Sequence, residues 1–151
     1  MPKNLQMNSA LVSGKKVGLV NGGGKASTWV DAKTGLEWQC DSPGEMSWHE
    51  AMEYAKTLLL DGKNDWHLPS ALELETLLDR NTLFDKMRPV MREEVPFPDT
   101  LSYWSSTTFE DRTNNAWIVM FDGAYVLSYY KSNSYRVRCV RGQINKTIPK
   151  G

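Results

Sequence analysis

Residues 101 to 142, LSYWSSTTFEDRTNNAWIVMFDGAYVLSYYKSNSYRVRCVRG, decide the fold. Asp122-Gly123 separates two runs rich in aromatic and β-branched residues, the strongest short-range hairpin signal, because a two-residue type I′ turn needs positive φ at both positions. Lys131 to Ser134 supplies a second turn. The pattern predicts three antiparallel strands, over 116–121, 124–130 and 135–140. A two-residue turn sets Phe121 opposite Ala124, Met120 opposite Tyr125, Val119 opposite Val126, Ile118 opposite Leu127 and Trp117 opposite Ser128. Side chains alternate along a strand, so this register sorts them into two faces. Trp117, Val119, Phe121 and Val126 form the bulkier apolar face, assigned to the core. Ile118, Met120, Tyr125, Leu127 and Tyr129 form the other, with Tyr130, Asn133 and Tyr135 at its margin. That second face is the candidate ligand surface, since rigid aromatics give contact area at low entropic cost. The alternative is burial of both faces, one by helices and one by the loop over 81–100.

Working outward, Ser27 to Cys40 reads as a hairpin, with Gly35 in the loop and Leu36, Trp38 and Cys40 alternating on one face. Ser47 to Leu60 carries a capping box, Ser47-x-x-Glu50, and an apolar stripe of Trp48, Ala51, Met52, Ala55, Leu58 and Leu59, with Gly62 as the stop. A second box, Ser70-x-x-Glu73, opens a shorter helix with the stripe Ala71, Leu74, Leu77 and Leu78. The stretch 81–100 holds Pro89, Pro96 and Pro98 and reads as an irregular loop pinned by apolar residues. A strand is expected over 17–20, a turn at Asn21 to Gly24, and fraying at both ends. The organisation is an N-terminal segment over 1–24, one domain over 25–142 and a tail over 143–151.

The chain has 151 residues and a formal net charge of zero. That length supports one core, and the neutrality argues against bulk nucleic-acid binding. The charge is uneven: residues 41–99 carry 13 acidic and 6 basic side chains, and residues 101–151 carry 3 and 7. Arg136, Arg138 and Arg141, with Lys131, would bind a polyanion weakly if they shared an exposed face. Without an apolar run of about 18 residues, membrane insertion is not expected. Met1 to Ala10 is polar and unlike a signal peptide. The expected location is cytoplasmic or phage-associated, or the cell surface if a targeting segment has been removed.

Catalytic patterns are weak. Ser105-Ser106 has only His49 and His67 as distant bases. Those histidines lack matched zinc spacing, and Glu110, Asp111 and Asp122 lack that of a calcium loop, so no metal or cofactor is expected. Cys40 and Cys139 are too few for a disulfide framework. They would form one bridge if the first and last strands lie close enough.

Six blocks occur in order: Asp31-x-x-Thr34-Gly-Leu-x-Trp-Gln39; Trp48-x-x-Ala51-x-x-Tyr-Ala55; Asp65-Trp-His-Leu-Pro-Ser70 with Glu73-Leu74; Tyr103-Trp-Ser-Ser-Thr107; Ala116-Trp117; and Val137-Arg-Cys-Val-Arg-Gly142. Together they resemble the bacterial family named for the C-terminal domain of the Legionella collagen-like adhesin. His67, where the family usually has Arg, and Glu37, where Met is common, depart from its pattern. The resemblance implies an α+β, C-type-lectin-like fold: two helices packed on a twisted antiparallel sheet, long irregular loops, and termini close together. It implies a non-enzymatic ligand-binding or adhesion module for a polysaccharide or protein, with oligomerisation open. The Tyr125 to Tyr135 run is similar to the diversified region of retroelement variable proteins, an alternative of the same class. A formylglycine-generating enzyme is the rival of another class, but its catalytic cysteine pair has no match here.

Overall fold

The computed structural model describes residues 11–12, 14–15, 26–79, 90–97, 101–122 and 125–145. The strand expected over 17–20 and the turn at Asn21 to Gly24 lie outside them. In chain order the elements are β1 (Leu11–Val12), β2 (Gly14–Lys15), β3 (Thr28–Val30), β4 (Glu37–Gln39), β5 (Glu45–Met46), α1 (Trp48–Thr57), α2 (Ala71–Glu75), β6 (Leu78–Asp79), β7 (Val90–Met91), β8 (Ser102–Thr108), β9 (Asn115–Met120), β10 (Tyr125–Tyr130), β11 (Tyr135–Arg136) and β12 (Val140–Arg141). The fold is α+β.

Both helices start where the sequence places them. Ser47 accepts from the Glu50 N–H while the Glu50 carboxylate accepts from the Ser47 N–H, and Ser70 and Glu73 repeat the arrangement. Each reciprocal pair satisfies backbone donors that a helix N-terminus otherwise leaves open. Both helices end early. α1 stops at Thr57, so Leu59, expected on its buried stripe, is exposed. Asp61 and Gly62 instead form a positive-φ turn closed by mutual Leu60 and Lys63 backbone bonds of 3.0 Å. α2 stops at Glu75, because Leu78 leaves the helical path to pair with Met91 of β7. The irregular 81–100 region therefore contains a short strand.

The five-stranded sheet has the order β10-β9-β8-β11-β5, and a three-stranded sheet has the order β12-β4-β3. The β9–β10 register is as expected, from Met120 opposite Tyr125 to Trp117 opposite Ser128. Two expectations fail. The third strand does not pair with β10. It crosses to the far side of β8, where Arg136 lies parallel to Tyr103, so the sheet is mixed. It then splits, β11 joining the large sheet and β12 the small one. The place beside β9 belongs instead to β8, a seven-residue polar-aromatic strand.

Two apolar clusters lie on opposite faces of β9. Leu36, Trp38, Leu74, Leu77, Tyr103, Val119 and Phe121 belong to one. Ala51, Ala55, Trp66, Trp104, Ala116, Ile118 and Val137 belong to the other. Both faces of β9 are thus core, the alternative noted from the sequence. The tail does not fray at once: Ile144 packs on the first cluster, and the Asn145 N–H donates to the Thr34 carbonyl at 2.6 Å.

Candidate functional site

The polar residues of the sequence blocks come together around β4, and they bind one another. Gln39 is buried; its amide donates to the Tyr54 hydroxyl at 2.7 Å and its carbonyl accepts from the Cys139 N–H at 2.9 Å. Arg138, also buried, donates to the Gln39 and Cys40 carbonyls and to the Tyr103 hydroxyl, and its guanidinium lies 3.9 Å from the Phe97 ring centroid. Arg141 reaches Glu37 at 2.8 Å and Asp65 at 2.6 Å, and Lys63 adds a second cation to Glu37. Burial alone raises the Glu37 carboxyl; hydrogen bonds from Thr28, Arg141 and Lys63 outweigh it and hold it below the ordinary range. Asp31 caps its own turn through the Thr34 hydroxyl and the Lys33 N–H, and pairs with buried Arg92 at 2.5 Å. Gly35 closes that turn with φ +82°, in the left-handed region.

This corrects the cationic-face expectation. Arg138 is buried, Arg136 is half-buried, Arg141 is held by two carboxylates, and Lys131 sits 4.0 Å over the Trp48 ring. The disulfide expectation fails too. β12 does lie beside β4, but Val140 is opposite Trp38, so Cys139 falls one residue out of line with Cys40. Cys40 packs on the first cluster and Cys139 lies in the second, so their thiols are on opposite sides and unbridged. A one-residue offset always separates faces in a strand pair.

The nucleophile candidates are structural. Ser105 is fully buried, its hydroxyl donating to the Trp117 carbonyl at 2.7 Å. Burial pushes the Cys139 thiol up, so it stays protonated at neutral pH. His49 is exposed beside the Trp48 ring, and His67 pairs with Glu73 at 3.0 Å. Among the described residues, no group of His, Cys, Asp or Glu side chains is placed to hold a metal ion, and no helix is long and apolar enough to cross a membrane.

The candidate ligand residues separate. Ile118 is fully buried in the second cluster and cannot touch a ligand, because α1 covers the face expected to be open. Leu127 packs against that cluster, and Met120 is half-buried. Tyr135 is half-buried, edge-on to Trp104 at 5.0 Å and tilted against Tyr129 at 5.6 Å. Asn133 donates its backbone N–H to the Tyr130 carbonyl in the turn after β10. Three residues remain open: Tyr125 is 58 % exposed, Tyr129 37 % and Tyr130 54 %. Tyr125 and Tyr129 share a face, and Tyr130 points to the other. Tyr129 is backed by Tyr135 and, through it, Trp104, a support that depends on β11 crossing to the far side of β8. A shallow hollow of about 420 Å³ lined by His49, Glu50, Glu53, Tyr54 and Thr57 lies on the outer side of α1.

No curated protein matches the chain. The family model of the Lcl C-terminal domain matches residues 27–141, an interval that spans the Asp31 turn, both capped helices and the Val137 to Arg141 crossing. The chain belongs to the Lcl C-terminal domain family.

Proposed function

We propose that this protein is a non-enzymatic, adhesin-like module that engages a glycan or protein through the outer strand β10 and the turn after it. Family membership supports the adhesin-like part. The observation that carries the ligand surface is the exposure of Tyr125, Tyr129 and Tyr130 on one edge strand, in a chain whose other large aromatics are mostly packed. A tyrosine ring offers a flat apolar face to a sugar ring or an apolar side chain, and its hydroxyl offers hydrogen bonds. Arg138 and Arg141 are engaged elsewhere, so contact rests on aromatic area rather than a cationic field, and a neutral glycan or a protein suits the surface better than a polyanion.

The test is binding of the folded chain to arrays of neutral and sulfated glycans and to candidate surface proteins, with Tyr125→Ala, Tyr129→Ala and the double variant beside it. The expected result is a loss of about 1 kcal/mol or more in affinity at each hot-spot tyrosine, with the fold retained and little response to salt. Binding that survives the double variant, or collapses on adding salt, overturns the reading.

A further inference from the structure

β10 ends the five-stranded sheet, and its ladder with β9 runs unbroken from Tyr125 to Tyr130. Edge strands are commonly blunted by shortness, charge, proline or a bulge. The six residues Tyr125–Tyr130, YVLSYY, contain none of these. The phase of the ladder is fixed at its ends. The Lys131 N–H donates to the Asn114 carbonyl at 2.8 Å, and the Phe121 N–H turns away from β10 to the Leu101 carbonyl at 3.2 Å. Tyr125, Leu127 and Tyr129 therefore direct their peptide groups toward β9, while Val126 and Ser128 direct theirs outward. Among the described residues, no strand pairs with that outer edge.

The geometry points to a second copy of this chain as the occupant, joined β10 to β10 in antiparallel fashion about a two-fold axis through Leu127. The strand is a palindrome on the face it shares with Met120: Tyr125, Leu127 and Tyr129 at alternate positions. The two-fold sets each Tyr125 opposite the other copy's Tyr129 and Leu127 opposite its equivalent, the like-with-like pairing that stabilises cross-strand neighbours. The same register sets Val126 opposite Ser128, so the outward peptide groups of both strands meet as donor and acceptor. The two large sheets become one continuous sheet carrying four tyrosines in a row on one face. This inference stands on the strand edge and not on the ligand reading.

Sedimentation of the full chain over a range of concentrations, combined with cysteine trapping, tests it. A reversible dimer is expected. Under mild oxidation Leu127→Cys gives a disulfide-linked dimer, while Ser128→Cys and the unsubstituted chain do not. Where Leu127→Cys fails to fold, Tyr125→Cys and Tyr129→Cys in one chain trap the same register. Ser128→Pro deletes an outward N–H and no bond to β9, so it yields a folded monomer. A chain that stays monomeric at sub-millimolar concentration overturns the proposal. So does trapping at Ser128 instead of Leu127, or a dimer that Ser128→Pro leaves intact.

Discussion

Where β12 lies against β4, polar side chains fasten the crossing: buried Gln39 to Cys139, buried Arg138 to two carbonyls and a hydroxyl, and the more open Arg141 and Lys63 to Glu37. Along β10 there is no such fastening; from Tyr125 to Tyr130 the strand carries no charge and leaves three rings in solvent. The small sheet has short strands with few ladder bonds, and β11 and β12 are separated by a stretch that switches sheets. Side chains supply there what a regular ladder supplies elsewhere. β10 has six regular pairs with β9 and needs no such help. The family blocks collect at the fastened region, and the exposed tyrosines lie between blocks. One region is thus constrained by folding, and the other is left available for contact.

The comparison breaks most visibly at Asp31. Asp31→Ala removes the carboxylate from a pair in which both side chains are almost fully buried, and leaves the Arg92 charge without it. Arg92 keeps the more exposed Glu94 at 3.0 Å and the Thr76 carbonyl, so the expected cost in urea unfolding is about 3 kcal/mol, the lower end for a broken buried pair. Replacing Arg92 as well, with Met, is expected to recover part of that loss. A single-variant cost within about 0.5 kcal/mol of zero would place Asp31 with surface residues and dissolve the contrast.

Arg138→Met is the next largest. Methionine keeps the stem against Phe97 but removes the charged donor to the Gln39 and Cys40 carbonyls and the Tyr103 hydroxyl, and the loss of those bonds predicts about 2–3 kcal/mol. The variant should melt earlier while the tyrosines of β10 keep their accessibility, measured by tyrosine modification in the folded state.

Acid sharpens the contrast. The carboxyls of Glu37 and Glu73 are held below their ordinary values although burial pushes both up; hydrogen bonds from Thr28, Arg141 and Lys63 do this at Glu37, and from His67 and Ser70 at Glu73. The folded state then binds fewer protons than the unfolded chain, so their stabilisation is complete above the unfolded carboxylate range and is lost as pH falls through the lowered values. Melting temperature should therefore drop from neutral pH toward about pH 3, and Glu37→Gln should be less stable at neutral pH but lose less on acidification. A parallel decline of the two chains would show that Glu37 does not contribute.

Local signals were legible wherever one segment carries the whole interaction. Ser47 with Glu50, Ser70 with Glu73, and the β9–β10 register are short-range patterns, and each is present. Non-local choices were not. Tyr135 to Val140 has the composition of a third meander strand, yet β8 already flanks β9, so the chain crosses over and divides between two sheets. That crossing buries Arg138 and aligns Arg141 with Glu37 and Asp65, removing the cationic face that charge counting suggested. The face assignment failed for a related reason. Ile118 and Val119 both read as core in a strand covered on two sides, whereas alternation alone forces a choice between them. Of the candidate site, Tyr125, Tyr129 and Tyr130 stay open because β10 is an edge, a property of sheet order and not of sequence.

The smallest stability effects belong to those tyrosines, and their order is itself informative. Tyr125 is 58 % exposed and stands near half-buried Met120, so Tyr125→Ala should change unfolding free energy by no more than about 0.5 kcal/mol. Tyr129 is less open and its ring lies 5.6 Å from Tyr135, which is itself edge-on to Trp104. Removing it takes one member from an aromatic row, so Tyr129→Ala should cost more, about 1 kcal/mol. In binding the two should be nearly equal if a ligand lies along the strand, since each presents one ring on the same face. Chemical denaturation and the glycan or protein titration on the same preparations separate the two scales. A Tyr125→Ala variant that unfolds as easily as Arg138→Met would mean that β10 is held in place by its tyrosines, and the division between a fastened region and an open one would have to be redrawn along β9.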